Sequence, residues 1–111
     1  MKILISASGE DIENNIDTTF HWSSCFLIID TSDNSMKSLE NTIKNKPSTV
    51  GNTIDSLVKN EGIEAVITYE IGPIAFKMFN QNKVKIYKSR GKIVRAIKQL
   101  EEGKLSEINQ A

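Results

Sequence analysis

His21 and Cys25 are the only imidazole and the only thiol in the chain, and that scarcity limits its chemistry more than any motif does. A structural zinc site takes three or four soft ligands, so these two side chains cannot form one. An iron–sulfur cluster held by several thiolates is excluded for the same reason. Nor can the two easily share a metal across an extended chain, because four residues then span about 13 Å. His21 lies between Phe20 and Trp22, and two readings of it stand. It offers one ring nitrogen to a metal or cluster while the aromatic rings shield the site from water, or it is a loop histidine facing solvent. Cys25 opens the apolar run Cys25-Phe26-Leu27-Ile28-Ile29 and reads as a buried, inert thiol. Ser-His-Asp chemistry has only His21 to draw on, and no Gly-x-x-x-x-Gly-Lys segment is present to cradle phosphate.

The second candidate is a turn, Ile71-Gly72-Pro73-Ile74-Ala75-Phe76. It follows Ala65-Val66-Ile67, a continuously apolar run that suits a central strand covered on both faces. Gly72 allows a tight turn or the close approach of a ligand. Pro73 fits the first helical position, where a missing N–H costs nothing. The free N–H groups of that helix would then point beyond the carboxyl end of the strand, where ligands bind in open α/β sheets. A strand-to-helix turn with no ligand would use the same residues. Glu70, just ahead of it, suits a base or ligand at the mouth of such a site, and equally a carboxylate stabilised by the helix dipole.

These residues need a scaffold, and the periodicities supply one. Lys2 to Ser6 reads as a first strand, Cys25 to Asp30 as a second, and Met36 to Asn41 as a third that returns through the turn-forming stretch Thr31-Ser32-Asp33-Asn34-Ser35. Ala7 to Ser23 is polar and reads as a long loop, a length that is uncommon in small domains and often functional. Val50, Ile54, Leu57 and Val58 have the spacing of a one-faced helix, with Ser48 or Thr49 as its cap and Gly62 as its end. Ile63 to Tyr69 is a fourth strand and Pro73 to Asn80 a second helix. Val84 to Tyr87 is a fifth, half-exposed strand, and Ile93, Ala96, Ile97 and Leu100 mark a last helix stopped by Gly103. The order βββαβαβα predicts a mixed five-stranded sheet, antiparallel where hairpins join the strands and parallel where helices cross over, with helices on its faces. Residues 1–105 read as one domain and 106–111 as a frayed tail.

Composition narrows the class. Apolar residues make up 39% and charged residues 25% of the 111, as in a soluble globular domain. No apolar run approaches a membrane span, the chain opens directly on a strand, and one cysteine suits a reducing compartment; a cytoplasmic protein is expected. Net charge is zero but uneven. Seven acids face only Lys2 and Lys37 in residues 1–40, while Lys83, Lys85, Lys88, Arg90, Lys92, Arg95 and Lys98 follow one another with no acid between. Such a stretch can attract an anionic partner or simply be a solvated face. Tyr87 is its only aromatic residue, which argues against nucleic acid.

Taken in order, the segments resemble the dinitrogenase iron–molybdenum cofactor biosynthesis (NifX-type) family. The residues that carry the resemblance are Met1-Lys2-Ile3, Ile16-Asp17 with Phe20, Phe26 to Asp30, Gly51 with the helix to Gly62, and Ala65-Val66-Ile67-Thr68. Ile71-Gly72-Pro73 with Ala75-Phe76, Lys85-Ile86-Tyr87, Val94 with Ala96-Ile97, and Glu102-Gly103-Lys104-Leu105 complete the set. The resemblance implies a ribonuclease H-like α/β layer. It further implies a non-catalytic domain that carries the iron–molybdenum cofactor or an iron–sulfur precursor and meets cluster donor or acceptor proteins. The family's histidine position falls here on Thr19, with His21 two places later, and the Asn that tends to follow Gly-Pro is Ile74. The implied site is therefore Thr19, Phe20, His21, Gly51, Glu70, Gly72 and Pro73, with His21 as the metal ligand. The same departures suit the alternative, an interaction or regulatory domain that has lost the cluster; oligomeric state stays open. Nuclease chemistry needs several carboxylates holding two metals about 4 Å apart, and the first strand carries none.

Overall fold

Strands form where β-branched and aliphatic residues run together, and the computed structural model, which describes residues 1–111, assembles them into one mixed sheet. The principal strands are β1 (Lys2–Ala7), β3 (Cys25–Asp30), β4 (Ser35–Glu40), β5 (Ala65–Thr68) and β6 (Lys85–Lys88). Three two-residue strands, β2 (Asn15–Ile16), β7 (Gly91–Lys92) and β8 (Ser106–Glu107), bring the sheet to eight. The five principal strands lie in the order β4-β3-β1-β5-β6. As the hairpins and crossovers predict, β3 runs antiparallel to β1 and β4, while β5 runs parallel to β1 and β6.

Three expectations need correction. The sheet has eight strands instead of five, because pairs of residues too short to show a period find partners across the chain. The stretch from Ala7 to Ser23 is no free loop: Asn15–Ile16 pairs with β1 and with β7, and the Asp17 N–H returns to the Ser6 carbonyl at 2.9 Å. The tail from Ser106 is paired, not frayed: β8 lies antiparallel to β6, and the Ile108 N–H donates to the Ile86 carbonyl at 2.7 Å.

Alternation along the strands sends side chains to two opposite layers. Leu4, Phe26, Ile28, Val66 and Ile86 face one side and pack under α1 (Val50–Glu61) and α2 (Pro73–Gln81), through Ile54 and Phe79. Ile3, Ile5, Leu27, Ile29 and Ile67 face the other and meet α3 (Ile93–Glu101) through Ile93 and Ala96. Gly62 ends α1 in the left-handed region, at φ 72°, where a residue without Cβ is unstrained. The expected cap at its start is absent. Thr49 turns its hydroxyl back to donate to the Lys46 carbonyl at 2.7 Å, and the short turn Pro47–Thr49 leads straight into the helix. None of the three helices is long and apolar enough to cross a membrane.

Candidate functional site

The two candidate segments of the sequence meet at one end of the sheet. Thr19 and Glu70 form an isolated parallel bridge, in which the Phe20 N–H donates to the Glu70 carbonyl at 2.9 Å and the Glu70 N–H to the Thr18 carbonyl at 2.7 Å. Behind the bridge, the Ser6 hydroxyl bonds both the Asp17 carbonyl and the Thr68 hydroxyl at 2.8 Å, closing the ends of β1 and β5. Phe20 is driven inward by its size. It is 1% exposed, with its ring 4.8 Å from Phe26 and 5.5 Å, edge-on, from Phe79. The residue after this anchor is His21, and it emerges half-buried at the surface.

His21 stands at a recess of about 210 Å³. One wall is Phe20 and His21, a second is Pro47 and Val50, and the third is the opening of α2 from Gly72 to Ala75. The Phe76 N–H closes the first helical turn onto the Gly72 carbonyl at 3.0 Å, Pro73 has no N–H, and Gly72 carries no capping side chain. The N–H groups of Ile74 and Ala75 therefore have no partner within the chain. Since Ile74 and Ala75 both line the recess, two free donors and the positive end of a helix dipole lie at its wall. A shallower hollow on the other side of His21 is lined by Thr19, Trp22, Glu70 and Ile71, and shares Gly72 with the first.

Five of the other six candidate residues are thus gathered around His21, with Glu70 exposed at the rim. Gly51 is not among them. It lies in the contact between α1 and α2, where an added Cβ would stand 3.6 Å from Met78 Cγ, an ordinary van der Waals contact. Gly72 has an ordinary extended backbone (φ −77°, ψ 164°), and a Cβ there would meet nothing within 4 Å. Its contribution is an unobstructed mouth, not a strained turn. The expected pair of shielding rings also separates. Phe20 forms part of the wall, whereas Trp22 is 64% exposed, its ring 4.9 Å from that of His21. Pro47 and Val50 escaped the sequence reading as recess residues; Pro47, three places ahead of Val50, was the available signal.

No three His, Cys, Asp or Glu side chains converge as a metal site. Cys25 lies on the α3 side of the sheet, 8% exposed, and burial first of all pushes its thiol up from the ordinary 9.0, which keeps it protonated and unreactive. A larger hollow of about 560 Å³ lies between Tyr69, Lys88 and the 106–111 segment, but it mixes Lys88 with Glu70 and Glu107 and holds no imidazole. The basic stretch is scattered along β6, β7 and α3. Lys88 and Arg90 lie 4.6 and 5.4 Å from the Tyr69 ring centre, and none of the basic side chains from Lys83 to Lys98 has a carboxylate within 4.0 Å.

A mixed sheet layered by helices, with a donor-rich recess at a strand-to-helix turn, is the architecture of a small binding domain. The chain matches the dinitrogenase iron-molybdenum cofactor family over residues 1–103 and belongs to that family. It is 33% identical to "Uncharacterized protein MJ0580" of Methanocaldococcus jannaschii, a match covering 97% of this chain and 96% of the relative. Among solved structures, it is similar to a candidate NifB protein from Thermotoga of the DUF35 family. The TM-score is 0.85 at 29% identity, over 99% of this chain and 95% of that one. The apo form of the orange protein from Desulfovibrio gigas superposes with a TM-score of 0.87, over 98% and 93% of the two chains. At 17% identity that likeness speaks to the fold.

Proposed function

We propose that this domain is a non-catalytic carrier of an anionic metallocluster, the iron–molybdenum cofactor or an iron–sulfur precursor, held at the His21 recess on a ribonuclease H-like layer. The observation that carries the reading is the meeting of three features in one recess: an imidazole, two unpartnered N–H groups at Ile74 and Ala75, and apolar walls from Phe20, Pro47 and Val50. Hydrogen bonds to charged groups contribute about 1.5–3 kcal/mol each, so two such donors and a helix dipole favour an anion without any carboxylate or thiolate ligand. His21 would supply the one strong nitrogen ligand, in place of the family histidine whose position is Thr19. With a single ligating side chain, the cluster would be kept and handed on in the cytoplasm between donor and acceptor proteins, not turned over.

The test is an anaerobic titration with an iron–sulfur cluster donor, wild type beside His21→Ala, following visible absorption and bound iron. Stoichiometric colour in the wild type that the variant loses supports the carrier. Equal colour in both removes His21 from the role, and no colour in either overturns the carrier reading. A second reading, an interaction domain without cluster, is favoured by one observation: Trp22 and Ile74 stand 64% and 58% exposed beside the recess. That reading predicts a specific captured partner whose binding ignores His21→Ala and needs Trp22.

A further inference from the structure

We infer that Asn41 is the positioning residue of the recess, its buried carboxamide fastening the turn that presents His21 to the segment that presents Pro47 and Val50. The inference rests on the recess being the binding site proposed above, although one arm of its test does not. Asn41 is 0% exposed. Its Nδ2 donates to the His21 carbonyl and to the Ser23 carbonyl, both at 2.9 Å, with a weaker approach to the Ser23 hydroxyl at 3.4 Å. Its Oδ1 accepts the Ile43 N–H at 3.0 Å. Both amide hydrogens and the acceptor oxygen are therefore used, the hydrogens on the His21–Ser23 turn and the oxygen on the start of the Ile43 turn.

The two sides joined are the two walls that face each other. Ile43 opens the short turn Ile43–Asn45, the Lys46 N–H returns to the Ile43 carbonyl at 3.1 Å, and Pro47–Thr49 then leads into α1 at Val50. On the other side, His21 and Trp22 have little packing of their own, since one ring is half-buried and the other 64% exposed. Besides the Phe20 anchor, that turn is held by Ser23, whose hydroxyl donates to the Phe20 carbonyl at 3.1 Å. Take Asn41 away and two carbonyls, one partly and one fully buried, lose their donors, which favours opening the turn to water. Asn41 itself touches no ligand; it acts through the position of His21.

Asn41→Asp separates this role from a merely structural one. The side chain keeps its size and its acceptor for Ile43, but sets carboxylate oxygen against the His21 and Ser23 carbonyls. Three readouts are compared: hydrogen exchange at the Phe20 and Ser23 amides, Trp22 fluorescence anisotropy, and anaerobic cluster uptake from ferrous iron and sulfide. Global stability from urea unfolding is the control. Exchange at those amides is expected to rise about ten- to a hundredfold beyond the global change, with lower anisotropy and a matching loss of uptake; Ser23→Ala should show a smaller version of each. Exchange that follows global stability alone overturns the inference. So does a loosened turn that takes up as much cluster as wild type. If wild type takes up none, the carrier reading fails, while the exchange arm still decides whether Asn41 fastens the turn. Should Asn41→Asp not fold, Asn41→Ser, which retains one donor, is measured the same way.

Discussion

The recess at His21 and the basic stretch from Lys83 to Lys98 are the two regions of this domain that could attract an anion, and they would do so by different means. At the recess, formal charge is nearly absent. Backbone N–H groups, a helix dipole and one imidazole converge on a small volume, held in place by a buried aromatic anchor and a buried amide. Along the basic stretch charge is plentiful, but the side chains are exposed, spread over β6, β7 and α3, and without a shared cavity. Charge of that kind steers an approaching partner and is screened by salt. Fixed donors in a recess hold a ligand in one place.

The largest effect should come from removing the buried anchor on which the recess wall is built. Phe20→Ala deletes a ring buried between Phe26 and Phe79 and is expected to cost about 3–5 kcal/mol, read from urea unfolding. A cost near zero would mean that the recess wall is not built on the core. Acid should act next, through three hydrogen-bonded carboxyls outside the recess: Asp30 and Asp33, held down by Ser32 and Ser35, and Asp55 on α1. Lys59 first, then Asn82 of the segment after α2, holds the Asp55 carboxyl below the ordinary 3.8 by hydrogen bonding. A depressed folded-state value means that this contribution is present above pH 3.8 and is lost as pH falls through the lower folded value. Asp55→Asn should therefore flatten the acid limb of stability measured by urea midpoint between pH 5 and pH 3, and an unchanged limb would break the link between α1 and the end of α2. The smallest effect belongs to the basic face. Lys88→Gln with Arg90→Gln should alter stability by no more than about 0.5 kcal/mol and leave recess binding intact at moderate salt. A large loss of anion affinity in that pair would move the site to the other region.

Much of this layout is written in local pattern. The unbroken apolar runs at β1, β3 and β5 mark strands covered on both faces, and the spacing from Val50 to Val58, closed by Gly62, marks a one-faced helix. The meeting of Phe20-His21 with Gly72-Pro73 was legible only through the family resemblance, since the residues alone place one segment before a strand and the other after one without joining them. Less legible were β2, β7 and β8, where two residues have no period and pairing is decided by the neighbour across the sheet. Asn41 was legible only as a polar residue ending a strand, since its value lies in two carbonyls some 20 positions earlier in the chain. Gly51 and Gly72 part ways: Gly51 stands beside Met78 where α1 meets α2, outside the recess lining, whereas Gly72 lines its open mouth.

The most direct test of the central claim is to map amide shifts of the isotope-labelled protein by NMR, under anaerobic conditions, as a diamagnetic cluster analogue of tetrathiomolybdate type is added. The account predicts that the amides of Ile74 and Ala75 and the imidazole of His21 move first and saturate together, while those from Lys83 to Lys98 stay still. Shifts confined to the basic stretch, with Ile74, Ala75 and His21 unmoved at saturation, would contradict it.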